Sequence, residues 1–308
     1  MTACNNSLIW SDTLRVRTWM LLVCGAVALL TGCSVVSIGY SNAPFLLAHR
    51  ADTWLSLDGE QFWSLRRALE EAHEWHRRTR LPGVVRVLND ARDRLDGQIT
   101  AADVDWAIDE VQREYRATVS RVIETAAPAL AGLRPEQVAH LERLYAKRNA
   151  EFADKYVDAT AQRVREARFE RVRGNVEDWL GSLTPEQERW LRARVAQIPV
   201  DYRAVLAENE RRQRELVAIL NRHIERSQEL DVTVAAVKRW ATEWEAGRPA
   251  QYQVQSAAWL RAYRQLVVDL LQSATPAQKR RASQRLDGYS QAVALFVESA
   301  PAAGSSTR

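Results

Sequence analysis

The side chains best placed for chemistry are His73, Glu74 and His76, with Glu70 one turn before His73. Helical spacing sets His73 and His76 near one side, and two imidazoles with a carboxylate are a ligand set that could hold a metal ion. The string His73-Glu74-Trp75-His76 is nevertheless not H-E-x-x-H, in which an i, i+4 histidine pair frames the ion and the glutamate acts as base. No metal is therefore expected, these three residues being the weak candidates for one. The expected role of Trp75 and His76 is packing against the following Leu81-Pro82 turn, with Arg77, Arg78 and Arg80 suited to a helix C-terminus. His49, His140 and His223 stand alone in sequence. G-x-S-x-G, P-loop and G-x-G-x-x-G strings are absent, so catalysis is not expected and no catalytic residue is assigned. A second charged feature is the run Arg163, Arg165, Arg168, Arg171 and Arg173, interleaved with Glu166 and Glu170. It is a candidate anion or partner surface, for phosphate-bearing headgroups or another protein, and otherwise a solvated helix face laced with ion pairs.

The N-terminal stretch carries an address. Arg15 and Arg17 lead into an apolar run from Trp19 to Leu30, which stops at Leu30-Thr31-Gly32-Cys33. A transmembrane helix needs about 20 apolar residues, and this run is shorter. A basic start, a short apolar core and small residues at the end are the marks of an export signal. The last four residues resemble the lipobox of bacterial lipoproteins. That resemblance implies cleavage before Cys33, diacylglycerol on its sulfur and an N-acyl chain of the palmitate type on its amine, with no other cofactor. Two or three chains anchor firmly where one is marginal. Ser34, in place of Asp, implies by the same resemblance the periplasmic face of the outer membrane. Cys4 and Cys24 leave with residues 1–32, so the exported body has neither a disulfide nor a thiol nucleophile. A net charge of +4 is mild for a chain that is 27% charged. Nucleic acid is not an expected partner.

Apolar residues recur three and four apart nearly everywhere and period-2 alternation is missing, which predicts an all-α, elongated multi-helix bundle to position these residues. Helices are expected at about 43–56, 59–80, 83–96, 101–131, 135–180, 185–197, 200–227, 231–246, 250–273 and 276–298. Prolines sit at most of the seams, where they suit a first helical turn. Pro128 is the exception and should kink or end its helix early. The stripe from Val104 to Leu130 makes 101–131 a central packing element. Residues 135–180 read as one long charged helix with a narrow seam, with Gly174 as its candidate break. The domain plan is a signal at 1–32, a lipidated tether at 33–43, one helical domain at 44–299 in which 181–199 is where two lobes would divide, and a disordered tail at 300–308.

One helix start recurs: Leu57-Asp58-Gly59-Glu60-Gln61, Leu133-Arg134-Pro135-Glu136-Gln137 and Leu183-Thr184-Pro185-Glu186-Gln187, with a weaker copy at Thr275-Pro276-Ala277-Gln278. Asp or Thr can accept from a backbone N–H while Gln three residues on reaches back, a capping box, although Arg134 is a poor cap. Phe62 and Val138 are placed to staple onto Leu57 and Leu133. The spacing is too irregular for a stacked repeat, and the starts read as shared caps. Leu183 to Gln187 is similar to the L-T-x-x-Q string of the small helical periplasmic chaperones of the Spy and CpxP type. A broader set, Cys33-Ser34, Tyr40, Asn42, Leu57, Gln61, Trp75-His76-Arg77 and Leu81-Pro82, resembles the uncharacterised proteobacterial lipoproteins called domain of unknown function 6279. That resemblance implies export, lipidation and an all-helical body, and brings no activity. Expected first is an envelope scaffold or accessory component that binds an unidentified envelope protein. Second is a chaperone-like binder of unfolded exported chains, and third a metal-dependent enzyme using the His73 and His76 region.

Overall fold

The computed structural model describes residues 33–298 apart from 226 and 227; the signal at 1–32 and the tail at 300–308 lie outside the described residues. Thirteen α-helices and no strand make up the described chain. They are α1 (Cys33–Ser41), α2 (Ala43–Leu55), α3 (Gly59–Thr79), α4 (Leu81–Leu95), α5 (Ala101–Thr125), α6 (Ala127–Ala131) and α7 (Pro135–Phe152). After a π-helical turn at Ala153–Val157 come α8 (Ala161–Leu180), α9 (Pro185–Gln197), α10 (Tyr202–Ile224), α11 (Leu230–Thr242), α12 (Ala250–Gln272) and α13 (Pro276–Glu298). The chain is the all-α multi-helix bundle that its periodicity predicts.

Three differences from the expected elements have local causes. Residues 33–41, expected as tether, form α1. The stretch 135–180 is two helices. The first widens into the π turn around buried Tyr156, and Thr160 then accepts from the Arg163 N–H to start α8, which runs through Gly174 unbroken. The proposed 101–131 helix stops at Thr125, and Pro128 sits in the first turn of the short α6, where its missing N–H costs nothing. The stripe on α5 does mediate packing, against α3, α11 and α12, yet none of its residues is fully buried.

The four recurrent helix starts assemble into two matched pairs. Gln61 accepts from the Asp58 N–H at 3.1 Å and Gln137 from the Arg134 N–H at 3.0 Å. Their amides then donate to one another, at 2.7 and 3.2 Å. Each also donates to a carbonyl two residues before the other's N-cap: Gln61 to Gly132 O (2.7 Å) and Gln137 to Ser56 O (3.2 Å). Gln187 and Gln278 repeat the scheme. They accept from Thr184 and Thr275 N–H, donate reciprocally at 2.9 Å each way, and reach Ser273 O and Ser182 O. The same order of elements surrounds both pairs. α2 lies on α3 and α7 as α8 lies on α9 and α13. The final helix of each half packs on the other half, α7 on α10 and α13 on α4.

The buried apolar side chains fall in several clusters rather than one. The largest joins α8, α9, α12 and α13 through Phe169, Leu180, Leu191, Val195, Leu266, Leu270 and Ala282. Another joins α7 to α10 through Leu141, Tyr145, Val217 and Leu220. A third, of Ala48, Leu65 and Leu69, ties α2 to α3 and takes in Leu57 and Phe62, while Leu133 and Val138 share the α7 to α10 cluster; both are the contacts expected of hydrophobic staples.

Candidate functional site

Tyr40 is the residue that joins α1 to the body. Its ring lies 4.4 Å from that of His73 and 5.9 Å from that of His76 on α3, and 4.7 Å from Phe296 on α13. The Tyr40 hydroxyl is 2.9 Å from His76 Nδ1. On the other side of the imidazole, Nε2 is 3.5 Å from Glu114 Oε1 on α5. With the Nε2 proton directed at this carboxylate, Nδ1 is left to accept from the phenol. Arg80 clamps Glu114 from the end of α3, with Nη2 to Oε2 at 2.7 Å and Nε to both oxygens at 3.1 Å, and Thr118 donates to Oε1 at 3.0 Å.

Burial alone would raise the Glu114 carboxyl; the hydrogen bonds from His76 and Arg80 outweigh it and bring its pKa down to about 2. Burial pushes the Tyr40 phenol well above its ordinary value, with Arg77 opposing. Burial also lowers His73, helped by the charges of His76 and Arg77, and its Nε2 has no hydrogen-bond partner. Tyr40, His76 and Glu114 thus form the series of nucleophile, base and orienting acid found in nucleophilic catalysis. Each member is engaged inside the protein, Tyr40 between the rings of His73 and Phe296 and Glu114 by Arg80 and Thr118. The arrangement is a latch, an ordered hydrogen-bond chain that holds α1 against α3 and α5.

The residues singled out by sequence are distributed as follows. His73 and His76 meet at Tyr40, and Glu74 turns to Arg77 and Arg78. Among the described residues no three His, Cys, Asp or Glu side chains come together as a metal would need. His76 takes its polar partners from Tyr40 and Glu114 rather than from the Leu81-Pro82 turn. Neither partner is detectable from local spacing, Tyr40 being 36 residues away. His49 contacts Phe45 and Phe62, His140 lies by Thr53 O, and His223 by Thr233. Of the arginine run, Arg168 donates to the Val195 and Ile198 carbonyls at the end of α9, Arg171 to Tyr156 Oη, and Arg173 to Glu170. Arg163 and Arg165 are exposed on α8. Sequence spacing did not reveal the buried charge group of Glu208, held by Arg211 through 2.8 and 2.9 Å bonds with Arg248 Nε 3.7 Å away, nor the groove of about 730 Å³ between α7 and α10, where Asn149 and Gln213 exchange amide hydrogen bonds.

The outward face of α1 to α3 carries large exposed apolar side chains, with the exposed Asn42 among them turning its amide back onto Ile38 O. The backbone ladder runs through the α1 to α2 junction, with Asn42 N–H to Ile38 O at 3.1 Å and Leu46 N–H to Asn42 O at 3.0 Å. Ile38, Phe45 and His49 therefore recur at helical spacing on one side. Ile38 is 62% exposed, Leu46 53%, Trp63 54% and Phe45 40%. Phe62 lies against Trp63 and His49, and His49 against Phe45. The Arg66 guanidinium is 5.8 Å from the Phe45 ring and 5.1 Å from that of Trp63. No helix among the described residues is long and apolar enough to cross a membrane.

Residues 53–245 match the model of a family of unknown function, DUF6279, a span that contains α3, α5 and the His76, Arg80 and Glu114 portion of the latch. No curated protein and no solved structure matches the chain.

Proposed function

The chain belongs to the DUF6279 family, and on that premise we propose that it is a lipoprotein anchored through Cys33 at the periplasmic face of the outer membrane, acting by binding as a scaffold or accessory component of the cell envelope. The observation that carries this reading is the junction. Cys33, the residue that the lipobox pattern assigns to the lipid, is the first residue of α1, and α1 is fastened to the body seven residues later by Tyr40. An anchor joined in this way holds the body at a fixed height and orientation, which suits a scaffold better than an enzyme on a loose leash. The engagement of Tyr40, His76 and Glu114 with one another and with Arg80 supports binding over catalysis. The paired glutamines are spent on one another and on helix starts, so the L-T-x-x-Q string is accounted for by packing.

Two experiments test the reading. Cys33→Ser is expected to lose both acyl labelling and membrane association; retention of both would overturn the anchor. Cross-linking of the lipidated protein in intact cells, read by mass spectrometry, is expected to capture one dominant envelope protein. A broad spread of exported chains would replace the scaffold with a chaperone-like binder.

A further inference from the structure

We propose that the exposed face formed by Ile38, Phe45, Leu46 and Trp63 lies on a phospholipid bilayer, so that the protein is held by a surface as well as by its anchor. This rests on the anchored reading above and specifies the geometry of the anchored state. Cys33, the residue assigned to the lipid, is the first residue of α1, so the anchor sits where this face begins. α1 spans roughly 13 Å at the rise of an α-helix, and the continuous ladder carries that line into α2. Phe45 and Leu46 are therefore kept within a short rigid reach of residue 33. Tyr40 occupies the opposite side of α1 from Ile38, two residues or about 200° away on a helix, and its burial among His73, His76 and Phe296 fixes which side is presented.

The composition of the face matches the bilayer interface. Tryptophan and other aromatics settle at headgroup level, and aliphatic side chains enter the acyl boundary. Cations stand at the edge: Arg66 between the Phe45 and Trp63 rings, and exposed Arg67 beside it on α3. Arg66 also pairs with Glu70 at 2.9 Å, which turns one side of its guanidinium along the helix. Exposed arginines next to an apolar face draw it to anionic headgroups.

The test uses the lipidated full chain in vesicles of phosphatidylethanolamine and phosphatidylglycerol, spin-labelled at Gly59→Cys or Gly174→Cys. A Cβ at either glycine meets nothing within 4 Å, so the substitutions leave the packing intact. Gly59 is one turn before Trp63, and Gly174 is on α8. The label at 59 is expected to shift toward oxygen and away from a water-soluble nickel chelate when the vesicles are added, while the label at 174 stays in water. Adding Phe45→Ser and Trp63→Ser should abolish the shift at 59, and both residues are exposed enough for the fold to tolerate the change. Acyl-labelled protein with both positions equally open to nickel would overturn the docking alone; protein that never joins the vesicles would overturn the anchor with it. Spin–spin broadening at 59 without oxygen preference would put a second copy there, and protection in cells but not in vesicles would put a protein there; either replaces the bilayer.

Discussion

The two glutamine pairs solve one problem with different materials. Around Gln61 and Gln137 the caps are ionic: Asp58 accepts from the Gln61 N–H at 2.8 Å and receives Arg134 Nη1 at 2.7 Å, so the carboxylate of one helix start is tied to the guanidinium of the other. Around Gln187 and Gln278 the caps are two threonine hydroxyls, accepting from the glutamine N–H groups at 3.1 and 3.2 Å, and both amide side chains are buried. Arg134, a poor cap by itself, is thereby explained, since its charge serves the neighbouring start. The glutamine exchange is the constant part of the design and the cap is the adjustable part. Gln137, Gln187 and Gln278 are buried and Gln61 is half-buried, while the caps Asp58 and Thr184 are both exposed, so the amide exchange is the shielded part of either seam and the cap the part open to water.

The largest effect separating the halves is expected from Gln278→Leu. It leaves the Thr275 N–H and the Ser182 carbonyl without their bonds and strips buried Gln187 of its exchange, a loss of about 3 kcal/mol, whereas Gln61→Leu, which strips buried Gln137 in the same way but removes a half-buried side chain, should cost about 2 kcal/mol. Denaturant midpoints with unchanged slopes would check this, and equal losses would remove the distinction. Next is the latch, which ties the first half to α13 of the second. Tyr40→Ala should cost about 3 kcal/mol through lost packing, and Tyr40→Phe, which keeps the ring, about 1 kcal/mol. Selective loss of amide protection in α1 would place the effect there.

Acid should sharpen the contrast further. Glu114 and Asp58 both have depressed folded pKa values, Asp58 mainly through the Gln61 N–H and then Arg134. Depressed carboxyl groups bind fewer protons in the folded chain, so their stabilisation is complete above the ordinary carboxylate range and is lost as pH falls through the folded values. For Glu114 the window runs from 4.5 down to about 2. Hydrogen exchange at the helix start of Gln61, capped by Asp58, should accelerate as pH falls below the ordinary carboxylate range, ahead of the start of Gln187, whose cap has no carboxylate. The smallest effect concerns the turns preceding the starts. α2 ends on Ser56 at φ 50 and α8 on Gly181 at φ 78. Ser56→Gly should stabilise by about 0.5 kcal/mol in thermal melts, while Gly181→Ala should destabilise, since its Cβ would also come within 3.1 Å of the Arg281 side chain.

Most helix limits were legible because prolines and capping residues mark them locally. The start at Pro185 and the end near Gln197 follow from Thr184, Gln187 and Pro199, all within hydrogen-bonding or steric reach of the boundary. The break at 153–157 was hidden. Its cause is Tyr156 packing with Phe152 and Tyr202, and Tyr202 belongs to another helix. The helix at 33–41 was missed for the same reason, as its stability comes from Tyr40 docking on α3 and α13. In the latch, the histidines were visible as a pair and their purpose was not, because Tyr40 and Glu114 reach them through tertiary structure. The glutamines were recognisable as caps singly. That they come in twos is a property of the folded chain alone.

The placement of α13 on α4 has a temporal consequence. Arg92 reaches Asp287 and Ser290 reaches Asn89 across 195 and 201 residues of chain. Contacts this distant require a large loop to be closed before they repay its entropy, and such topologies fold slowly. A chain emerging N-terminus first completes α4 long before its cover exists, and until α13 arrives the first half carries an open seam. The C-terminal helix is therefore the closing step of the whole molecule, and a stop codon ahead of it would strand α4 without the surface that it was built to meet.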